Sequence, residues 1–329
     1  MKVLIIGNED RYKKYMPDPE IVRKYSVVFC PCEARDEDLL QAAQDADAII
    51  IDAIARLSGT VIRQMPNLKI IQSEGVGYNG IDCQAAKEKG IYVCNCKGAN
   101  AGAVAEQAIL LMLALLRSTL TGDRLEREGR QMEMKQRLMV EGITELGDCK
   151  IGLIGFGDIA KAAAKRLFPF ACEIFYYDKY KASQELEAEY HVSFMEMNDL
   201  ISSCDIISIH CPATPETTEM VNAEFLAKMK PTAYLINTAR GDLVDNQALY
   251  DAIVMGKIRG AGLDTVHPEP TTKDNILLNL PEECKEHIIF SPHIGGITTS
   301  FFRRAHLFNW GNVESALKGN HPQNIVNGL

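Results

Sequence analysis

Lys150-Ile-Gly-Leu-Ile-Gly155-Phe-Gly157-Asp-Ile-Ala160 is an apolar run that breaks into closely spaced glycines. Gly155 permits a tight turn after a strand, Gly157 lets the backbone approach a ligand, and Ala160 is small enough for close helix–strand packing. A helix that starts near Asp158 would point free N–H groups at a phosphate. The stretch therefore predicts a strand, a turn and a helix that together bind the pyrophosphate of a dinucleotide.

An acidic residue stands where a dinucleotide site needs one. The next predicted strand, Glu173–Tyr177, ends at Asp178, 23 residues after Gly155, close to the spacing of about 20 at which an acid binds the adenosine ribose. Asp178 would repel a 2′-phosphate and so favours NAD over NADP, although the cations of Lys179 and Lys181 leave NADP open. A methyltransferase that binds S-adenosylmethionine also carries a glycine-rich turn and an acid, so this segment alone leaves both classes open.

Short apolar runs alternate with helical patterns along most of the chain, as in parallel sheets covered by helices. The predicted strands are Lys2–Ile6, Val27–Cys30, Ala48–Ile51, Lys69–Ser73 and Tyr92–Cys94, then Lys150–Ile154, Glu173–Tyr177, Asp205–His210, Ala233–Asn237, Ala261–Asp264 and His287–Ser291. The second series has about six strands, the count of a full dinucleotide-binding sheet. A long helix, Ala101–Thr121, and a charged, poorly patterned stretch, Asp123–Arg137, separate the two series.

The predicted fold class is α/β, with two Rossmann-like or flavodoxin-like parallel-sheet domains and a cleft between them. A final helix, Thr298–Lys318, is too small to form a domain and is expected to return to the first one. We therefore predict a discontinuous substrate domain of residues 1–99 and 298–329, and an NAD-binding Rossmann domain of residues 100–297.

Composition narrows the function classes. The 329 residues carry a net charge of −9, which argues against a nucleic-acid partner because phosphate contacts need clustered Lys and Arg. The longest apolar run, Ala108–Leu116, is too short to span a membrane, and the N-terminus resembles a buried strand without a signal-peptide cleavage region. The ten cysteines lack metal-binding spacing, so we predict reduced thiols, a cytoplasmic location and no metal.

Three strand ends carry polar residues that suit one reaction. Arg240 follows one predicted strand, Glu269 lies shortly after the next, and His293 follows the last; in an open parallel sheet such ends meet on one edge. Arg240 offers two parallel donors to a carboxylate, and His293 can give a proton to a ketone oxygen near neutral pH. Glu269 would fix the imidazole tautomer and favour its protonated form. Each residue alone is more often structural; the three together predict the catalytic set for reducing a 2-oxo acid.

The chain resembles the D-isomer-specific 2-hydroxyacid dehydrogenase family over essentially its whole length. The motifs that carry the resemblance occur in order and exclude the methyltransferase alternative: Gly75-Val-Gly-Tyr-Asn-Gly-Ile-Asp82, Asn100-Ala-Gly-Ala-Val-Ala-Glu106, the Gly155 fingerprint, His210-Cys-Pro212, Asn237-Thr-Ala-Arg-Gly241, Glu269-Pro270 and Pro292-His293. The resemblance implies an NAD-dependent enzyme that reduces a small 2-oxo acid to the D-2-hydroxy acid. It also implies a homodimer, in which a long apolar helix packs across the two-fold axis.

The resemblance also implies binding roles at matching positions. Gly75, Val76 and Gly77 would offer N–H groups to the substrate carboxylate, with Asn100 and Arg240 completing the substrate site; Asp264 would meet the nicotinamide half of the cofactor. The full predicted cofactor set is Gly155, Phe156, Gly157, Asp158, Ile159, Asp178, His210, Pro212, Thr217, Thr238, Ala239, Arg240, Asp264, His293 and Gly296.

A few departures bear on the substrate. Lys97 replaces a common proline and is interpreted as a surface residue, and the only Trp is Trp310. Asp52 and Ala53 stand where phosphoglycerate-specific members often carry Arg-Ser, so a phosphorylated substrate is disfavoured. The alternatives are a related dehydrogenase acting on phosphoglycerate, formate or phosphite, and an NAD-sensing, corepressor-like binding protein.

Overall fold

The computed structural model describes residues 1–16 and 18–329, which form two compact units. The first comprises Met1–Asn100 and Ile297–Leu329, and the second comprises Ala101–Gly296. Each unit is built on one parallel sheet with helices, which confirms the predicted class of two parallel-sheet α/β domains.

The first unit contains a five-stranded parallel sheet in the order β2-β1-β3-β4-β5. This is the flavodoxin-like order, in which the order of strand addition reverses between the parallel neighbours β1 and β3. Strands β1 and β3 are apolar runs because helices cover both faces of such a sheet, and β4 is equally buried although it ends in Gln72 and Ser73. The strands are β1 (Lys2–Ile6), β2 (Ser26–Cys30), β3 (Ala48–Ile51), β4 (Ile70–Ser73) and β5 (Tyr92–Cys94), and the helices are α1 (Glu9–Tyr15), α2 (Pro19–Arg23), α3 (Asp36–Ala43), α4 (Gly59–Gln64) and α5 (Cys83–Glu88).

The second unit contains a seven-stranded parallel sheet in the order β12-β11-β10-β9-β6-β7-β8, the doubly wound dinucleotide-binding order plus one edge strand. Its strands are β6 (Lys150–Ile154), β7 (Glu173–Tyr177), β8 (Ser193–Phe194), β9 (Ile206–Ile209), β10 (Tyr234–Asn237), β11 (Gly260–Leu263) and β12 (Ile288–Phe290). Its helices are α6 (Ala101–Leu116), α7 (Thr119–Arg127), α8 (Gln131–Glu141), α9 (Asp158–Leu167), α10 (Gln184–Tyr190), α11 (Met197–Ser203), α12 (Ala223–Lys228) and α13 (Asn246–Val254). Short 3-10 turns cover Leu146–Asp148, Phe168–Phe170, Gly241–Leu243, Ile276–Asn279 and Glu282–His287.

Successive residues of one strand enter opposite cores, because side chains alternate across a sheet. In β10, Leu235 packs into the cluster beneath α12 and α13, whereas Ile236 packs into the cluster that contains α6 and α9. Gly262 on β11 lets α6 approach, since a Cβ there would lie 3.0 Å from Leu111 Cβ. The sheet is thus buried on both faces, and its carboxyl edge carries the polar loops.

The long helix predicted for Ala101–Thr121 ends early. Helix α6 stops at Leu116, Ser118 adopts a left-handed conformation with φ 47°, and α7 begins at Thr119. The charged stretch that followed it in the sequence prediction is also helical, as α7 and α8. No single helix within residues 1–16 and 18–329 has the length and apolarity to cross a membrane, although α6 and α7, bent by 59° at their junction, meet that requirement as a pair.

The final helix, α14 (Thr299–Leu317), belongs to the first unit, where Trp310, Val313 and Leu317 pack with the apolar residues of β1 and β3. Thr298 caps it by accepting a hydrogen bond from Phe301 N–H at 3.1 Å. The tail then returns to β5, where Val326 N–H donates to the Val93 carbonyl at 2.8 Å.

Candidate active site

The glycine turn after β6 requires both of its glycines for different reasons. Gly155 has φ +90°, and a Cβ on it would lie 2.8 Å from the backbone nitrogen of Cys211, so no other residue fits without displacing the backbone. Gly157 has ordinary φ, and a Cβ there would meet no atom of the described residues within 4 Å. Asp158 and Ile159, at the start of α9, donate their N–H groups to no acceptor in the described residues. The helix end is therefore free to bind an anion.

Asp178 lies directly beside this turn. Its Oδ2 accepts a hydrogen bond from Phe156 N–H at 2.7 Å, and its Oδ1 accepts one from Tyr180 N–H at 3.0 Å. The Phe156 ring itself is buried and stacks on Tyr176 with ring centroids 4.2 Å apart. Asp178 thus fastens the end of β7 to the turn, and its remaining lone pairs are available to hydroxyl donors.

The neighbouring strand end, after β9, carries His210. Its Nε2 lies 2.9 Å from Ser208 Oγ, while its Nδ1 is buried without a hydrogen-bond partner among the described residues. Burial lowers the pKa of His210 to about 4, so the ring is neutral at physiological pH. Farther along this loop, Thr217 Oγ1 donates to the Pro212 carbonyl at 2.8 Å, which shapes the loop.

The β10 end presents Arg240. Asn237 holds the loop by donating from Nδ2 to the Arg240 carbonyl at 2.8 Å and accepting from Ala239 N–H at 3.0 Å. To acceptors in the described part of the chain, the guanidinium donates one bond, from Nη1 to the Ala239 carbonyl at 2.7 Å, which leaves further N–H groups for a carboxylate. Thr238 Oγ1 is buried and has no partner within the described part of the chain.

Asp264, at the end of β11, organises the loop that follows β12. Its Oδ2 accepts from Gly295 N–H at 2.9 Å and its Oδ1 from Ile294 N–H at 3.0 Å, while its own carbonyl accepts from His293 N–H at 2.8 Å. The residue is 2% exposed. The sequence interpretation placed Asp264 at the nicotinamide; the structure shows its carboxylate engaged with the backbone around His293.

His293 and Glu269 form a hydrogen-bonded pair. His293 Nδ1 lies 2.5 Å from Glu269 Oε1, so the Nε2 edge of the ring is left for a substrate. The hydrogen bond to His293 lowers the pKa of Glu269, burial opposes this effect, and the positive charges of His293 and Arg240 add to the lowering. Glu269 is therefore a carboxylate at neutral pH, within electrostatic reach of both other predicted catalytic residues.

In the first unit, hydrogen bonds hold the three carbonyl groups of the Gly75–Gly77 loop. The three carbonyls accept hydrogen bonds from Cys96 N–H at 2.8 Å, Asn95 Nδ2 at 2.7 Å and Ser73 Oγ at 2.6 Å. The N–H groups of the loop's second and third residues meet no acceptor among residues that the structure describes. Such an arrangement of free N–H groups suits an anion.

Comparison with known proteins gives one consistent family. Residues 109–295 match the model of the D-isomer specific 2-hydroxyacid dehydrogenase NAD-binding domain. The chain is 36% identical over 291 residues to a glyoxylate reductase of Thermofilum pendens, covering 88% of this chain and 84% of the relative. It is 34% identical over 303 residues to a hydroxypyruvate reductase of Thermotoga maritima, covering 89% and 94%.

The chain belongs to the D-isomer-specific 2-hydroxyacid dehydrogenases. The crystal structure of the D-lactate dehydrogenase of Aquifex aeolicus with NAD and lactic acid superposes on this dehydrogenase with a TM-score of 0.84, at 27% identity and over the full length of both chains. The dehydrogenase is thus an NAD-dependent oxidoreductase, as the sequence predicted.

The residues present in the second unit of the dehydrogenase fit NAD. The free helix start at Asp158 suits the pyrophosphate, and the space beyond Gly157 admits its approach. His210 Nδ1 and Thr238 Oγ1, buried at the same sheet edge without partners among the described residues, are polar atoms that a bound molecule would satisfy. Gly296 lies on the same loop as His293, close to this edge.

Other residues of the dehydrogenase were missed or only partly understood from sequence. Gln107 on α6 donates to Ser291 Oγ at 2.9 Å, a contact that no motif signalled. In the first unit, Asn100 Oδ1 is buried and lacks a partner in the described residues, and Lys97 is exposed. Arg11 bridges Asp52, at 2.6 Å, and Glu74, and only Asp52 had been singled out.

Proposed function

We propose that this dehydrogenase reduces a small 2-oxo acid to the D-2-hydroxy acid, with Arg240, Glu269 and His293 as its catalytic residues. The observation that carries the proposal is the paired His293 and Glu269 beside Arg240, all on loops at the carboxyl edge of the second sheet. NADH, when bound, supplies the hydride that adds to C2.

The protein groups handle charge and the proton. The Arg240 guanidinium binds the substrate carboxylate through its free N–H groups. In the first unit, we assign substrate-binding roles to the N–H groups of Val76 and Gly77 and to Asn100. Protonated His293 donates from Nε2 to the C2 oxygen as negative charge develops there. Glu269 accepts from Nδ1–H, holds the ring in orientation and stabilises its positive charge. In the reverse direction, neutral His293 accepts the hydroxyl proton.

We also assign the remaining predicted cofactor contacts. Asp178 would accept hydrogen bonds from the adenosine ribose hydroxyls, and the α9 N–H groups would bind the pyrophosphate. His210, Pro212 and Thr217 would line the ribose and adenine side, while Thr238, Ala239 and Gly296 would lie along the nicotinamide half. Asp264 would act there chiefly through the His293 loop that it holds.

The charge of the first unit favours substrates without phosphate. Asp52 and Glu74 flank one cation, Arg11, and a Cβ on Gly75 would lie 2.7 Å from Ala53 Cβ, so this ionic cluster adjoins the proposed carboxylate-binding loop. Burial raises the pKa of Glu74 to about 7, against the opposing effect of Arg11. Because Arg11 is already paired with Asp52 and Glu74, the cluster offers a phosphoryl group no unpaired positive charge.

The exposed apolar residues, the cysteines and the net charge bear on the oligomeric state and cellular location of the dehydrogenase. We infer a homodimer that acts in the cytoplasm without nucleic-acid or membrane partners. The exposed apolar side chains of Leu110 and Leu120 on α6 and α7 suit a subunit contact. All ten cysteines are free, as in a reducing compartment, and the net charge of −9 disfavours nucleic acid.

The test follows NADH oxidation with pyruvate, glyoxylate, hydroxypyruvate, 2-oxoisocaproate, phenylpyruvate and phosphohydroxypyruvate. We expect turnover of at least one unphosphorylated acid, and a kcat lowered roughly 100-fold or more in His293→Ala with NADH affinity nearly unchanged. The matched control is His267→Ala, which removes an exposed histidine paired with Asp242 at 2.9 Å and should leave kcat unchanged. Tight NADH binding without turnover of any acid would instead support an NAD-sensing protein, and full activity in His293→Ala would remove that residue from its role.

A further inference from the structure

A chain of hydrogen bonds leads from helix α6 to the loop that carries His293. Gln107 Nε2 donates to Ser291 Oγ at 2.9 Å, and Ser291 Oγ donates in turn to Asp264 Oδ1. A serine hydroxyl has one proton, so a bond given to Asp264 leaves Ser291 to accept from Gln107. The direction of the chain is therefore fixed, with the amide donor at one end and the carboxylate at the other.

Asp264 depends on these donors because it is almost fully buried. A buried carboxylate is stable only when hydrogen bonds replace its hydration. Two of its donors are the N–H groups of Ile294 and Gly295, and Ser291 supplies the one side-chain donor that the described residues offer. Losing that hydroxyl would leave Oδ1 short of a donor, and the carboxylate would turn or recruit water, which disturbs the loop bonded to it.

The loop also packs against Gln107 at Gly295. A Cβ on Gly295 would lie 2.8 Å from Asp264 Oδ2 and 3.3 Å from Gln107 Cβ, so the Gly295 backbone packs closely against both side chains. His293 itself has φ 53°, a left-handed conformation that a non-glycine residue keeps only when its surroundings enforce it. Its N–H group donates to the Asp264 carbonyl and, at 3.0 Å, to the Ser291 carbonyl.

We propose that Gln107 and Ser291 are positioning residues for the proton donor: through Asp264 they hold the His293 loop in the geometry that proton transfer to the 2-oxo acid requires. The inference rests on the proposed role of His293. Neither side chain need touch substrate or cofactor, because both act on the backbone that fixes the imidazole. A displacement of a reacting group by about 1 Å lowers rates by up to about 100-fold. A small movement of the Asp264 carboxylate therefore has a measurable effect on kcat.

The experiment compares Ser291→Val with Ser291→Thr, two side chains of the same shape that differ in the hydroxyl. Two measurements are made on each: kcat and KM with the best substrate of the panel, and backbone hydrogen exchange of the peptide spanning residues 291–296 in the protein without cofactor. We expect Thr to keep wild-type values. Val should lower kcat roughly 10-fold or more with a nearly unchanged KM for NADH, and should speed exchange at residues 294 and 295.

Gln107→Leu is the second variant, used if Ser291→Val folds poorly. Its matched control is Gln247→Leu, which removes an exposed amide that is hydrogen-bonded to Asp251 at 3.1 Å. Equal kcat and equal exchange in the Val and Thr proteins would overturn the proposal, as would a loss of kcat without faster exchange. Because the wild type and His293→Ala are measured in the same panel, an inactive wild type marks a failure of the proposed function and not of the positioning role.

Discussion

At the scale of single residues, His293 and His210 lie in different environments at the edge of the second sheet. His293 is 37% exposed at its side chain and is paired with a carboxylate, whereas His210 is half-buried and burial lowers its pKa to about 4. A buried imidazole without an acid partner stays neutral, and one beside a carboxylate can carry a proton at neutral pH. This difference supports His293, and not His210, as the proposed proton donor.

Glu269→Gln tests this division. An amide still accepts a hydrogen bond but cannot balance the positive charge of a protonated imidazole, so we expect the reductive kcat to fall about 10-fold. The measurement is kcat at neutral pH, with Asp242→Asn, which alters the exposed His267 pair, as control. An unchanged kcat would show that the charge of Glu269 does not assist His293.

The same pair has a predictable effect on stability. The pKa of Glu269 is lowered in the folded protein, so its stabilising contribution is present above the ordinary Glu range and is lost as the pH falls through the lowered value. The melting temperature of Glu269→Gln should therefore approach that of the wild type in acid and lie below it at neutral pH.

At the scale of elements, the predicted strands agree best with the observed strands where those strands are buried. Strands with buried, apolar runs, such as β6 and β10, match their predicted positions within a residue or two, because a two-sided sheet demands such runs. Strand β8 has two residues and gives no pattern to detect. The charged stretch was not predicted to be helical because it lacks a clear apolar periodicity. Its helices are stabilised by exposed ion pairs between residues four positions apart, such as Arg124 with Glu128 and Asp123 with Arg127.

The glycine turn allows folding and binding to be separated. Gly157→Ala should fold with an unchanged melting temperature, since its methyl group meets no atom of the described residues within 4 Å. The variant should nevertheless bind NADH roughly 10-fold or more weakly, because the methyl group fills the space that the pyrophosphate approaches. Gly155→Ala should instead destabilise the protein by roughly 2 kcal/mol or more, because of its positive φ and its contact with Cys211.

Fluorescence titration of NADH and thermal unfolding measure the two effects. Gly122→Ala, at another glycine with open space around a Cβ, should leave NADH affinity at the wild-type value. Normal NADH binding by Gly157→Ala would contradict the proposed position of the pyrophosphate.

At the scale of the whole molecule, strand order alone predicts that Arg240, Glu269 and His293 lie on one edge, because parallel sheets gather their carboxyl ends there. The structure pairs two of them, Glu269 and His293, and their catalytic role stays a prediction. The sequence could not reveal that Asp264 is bonded to the backbone of the His293 loop or that Gln107 reaches Ser291, since both depend on side-chain geometry between elements far apart in the chain. Glu74 and Arg11 were missed for the same reason.

The proposed dimer is tested by light scattering during size exclusion. We expect a mass twice the 36.5 kDa of the chain, and a shift toward the monomer in Leu110→Glu combined with Leu120→Glu, since these side chains are 56% and 57% exposed and a buried charge opposes association. Leu307→Glu, at an equally exposed leucine of α14, is the control. A monomeric wild type, or dissociation by the control alone, would contradict this interface.

The hydrogen bond from Phe156 N–H to Asp178 has a consequence for redesign. An engineer who replaces Asp178 with a small neutral residue to admit the phosphorylated coenzyme also removes the acceptor that fastens the glycine turn. Coenzyme choice and the rigidity of the phosphate cradle are thereby linked through one side chain. Asn or Ser, which keep an oxygen at that position, should be better starting points than Ala for exchanging one coenzyme for the other.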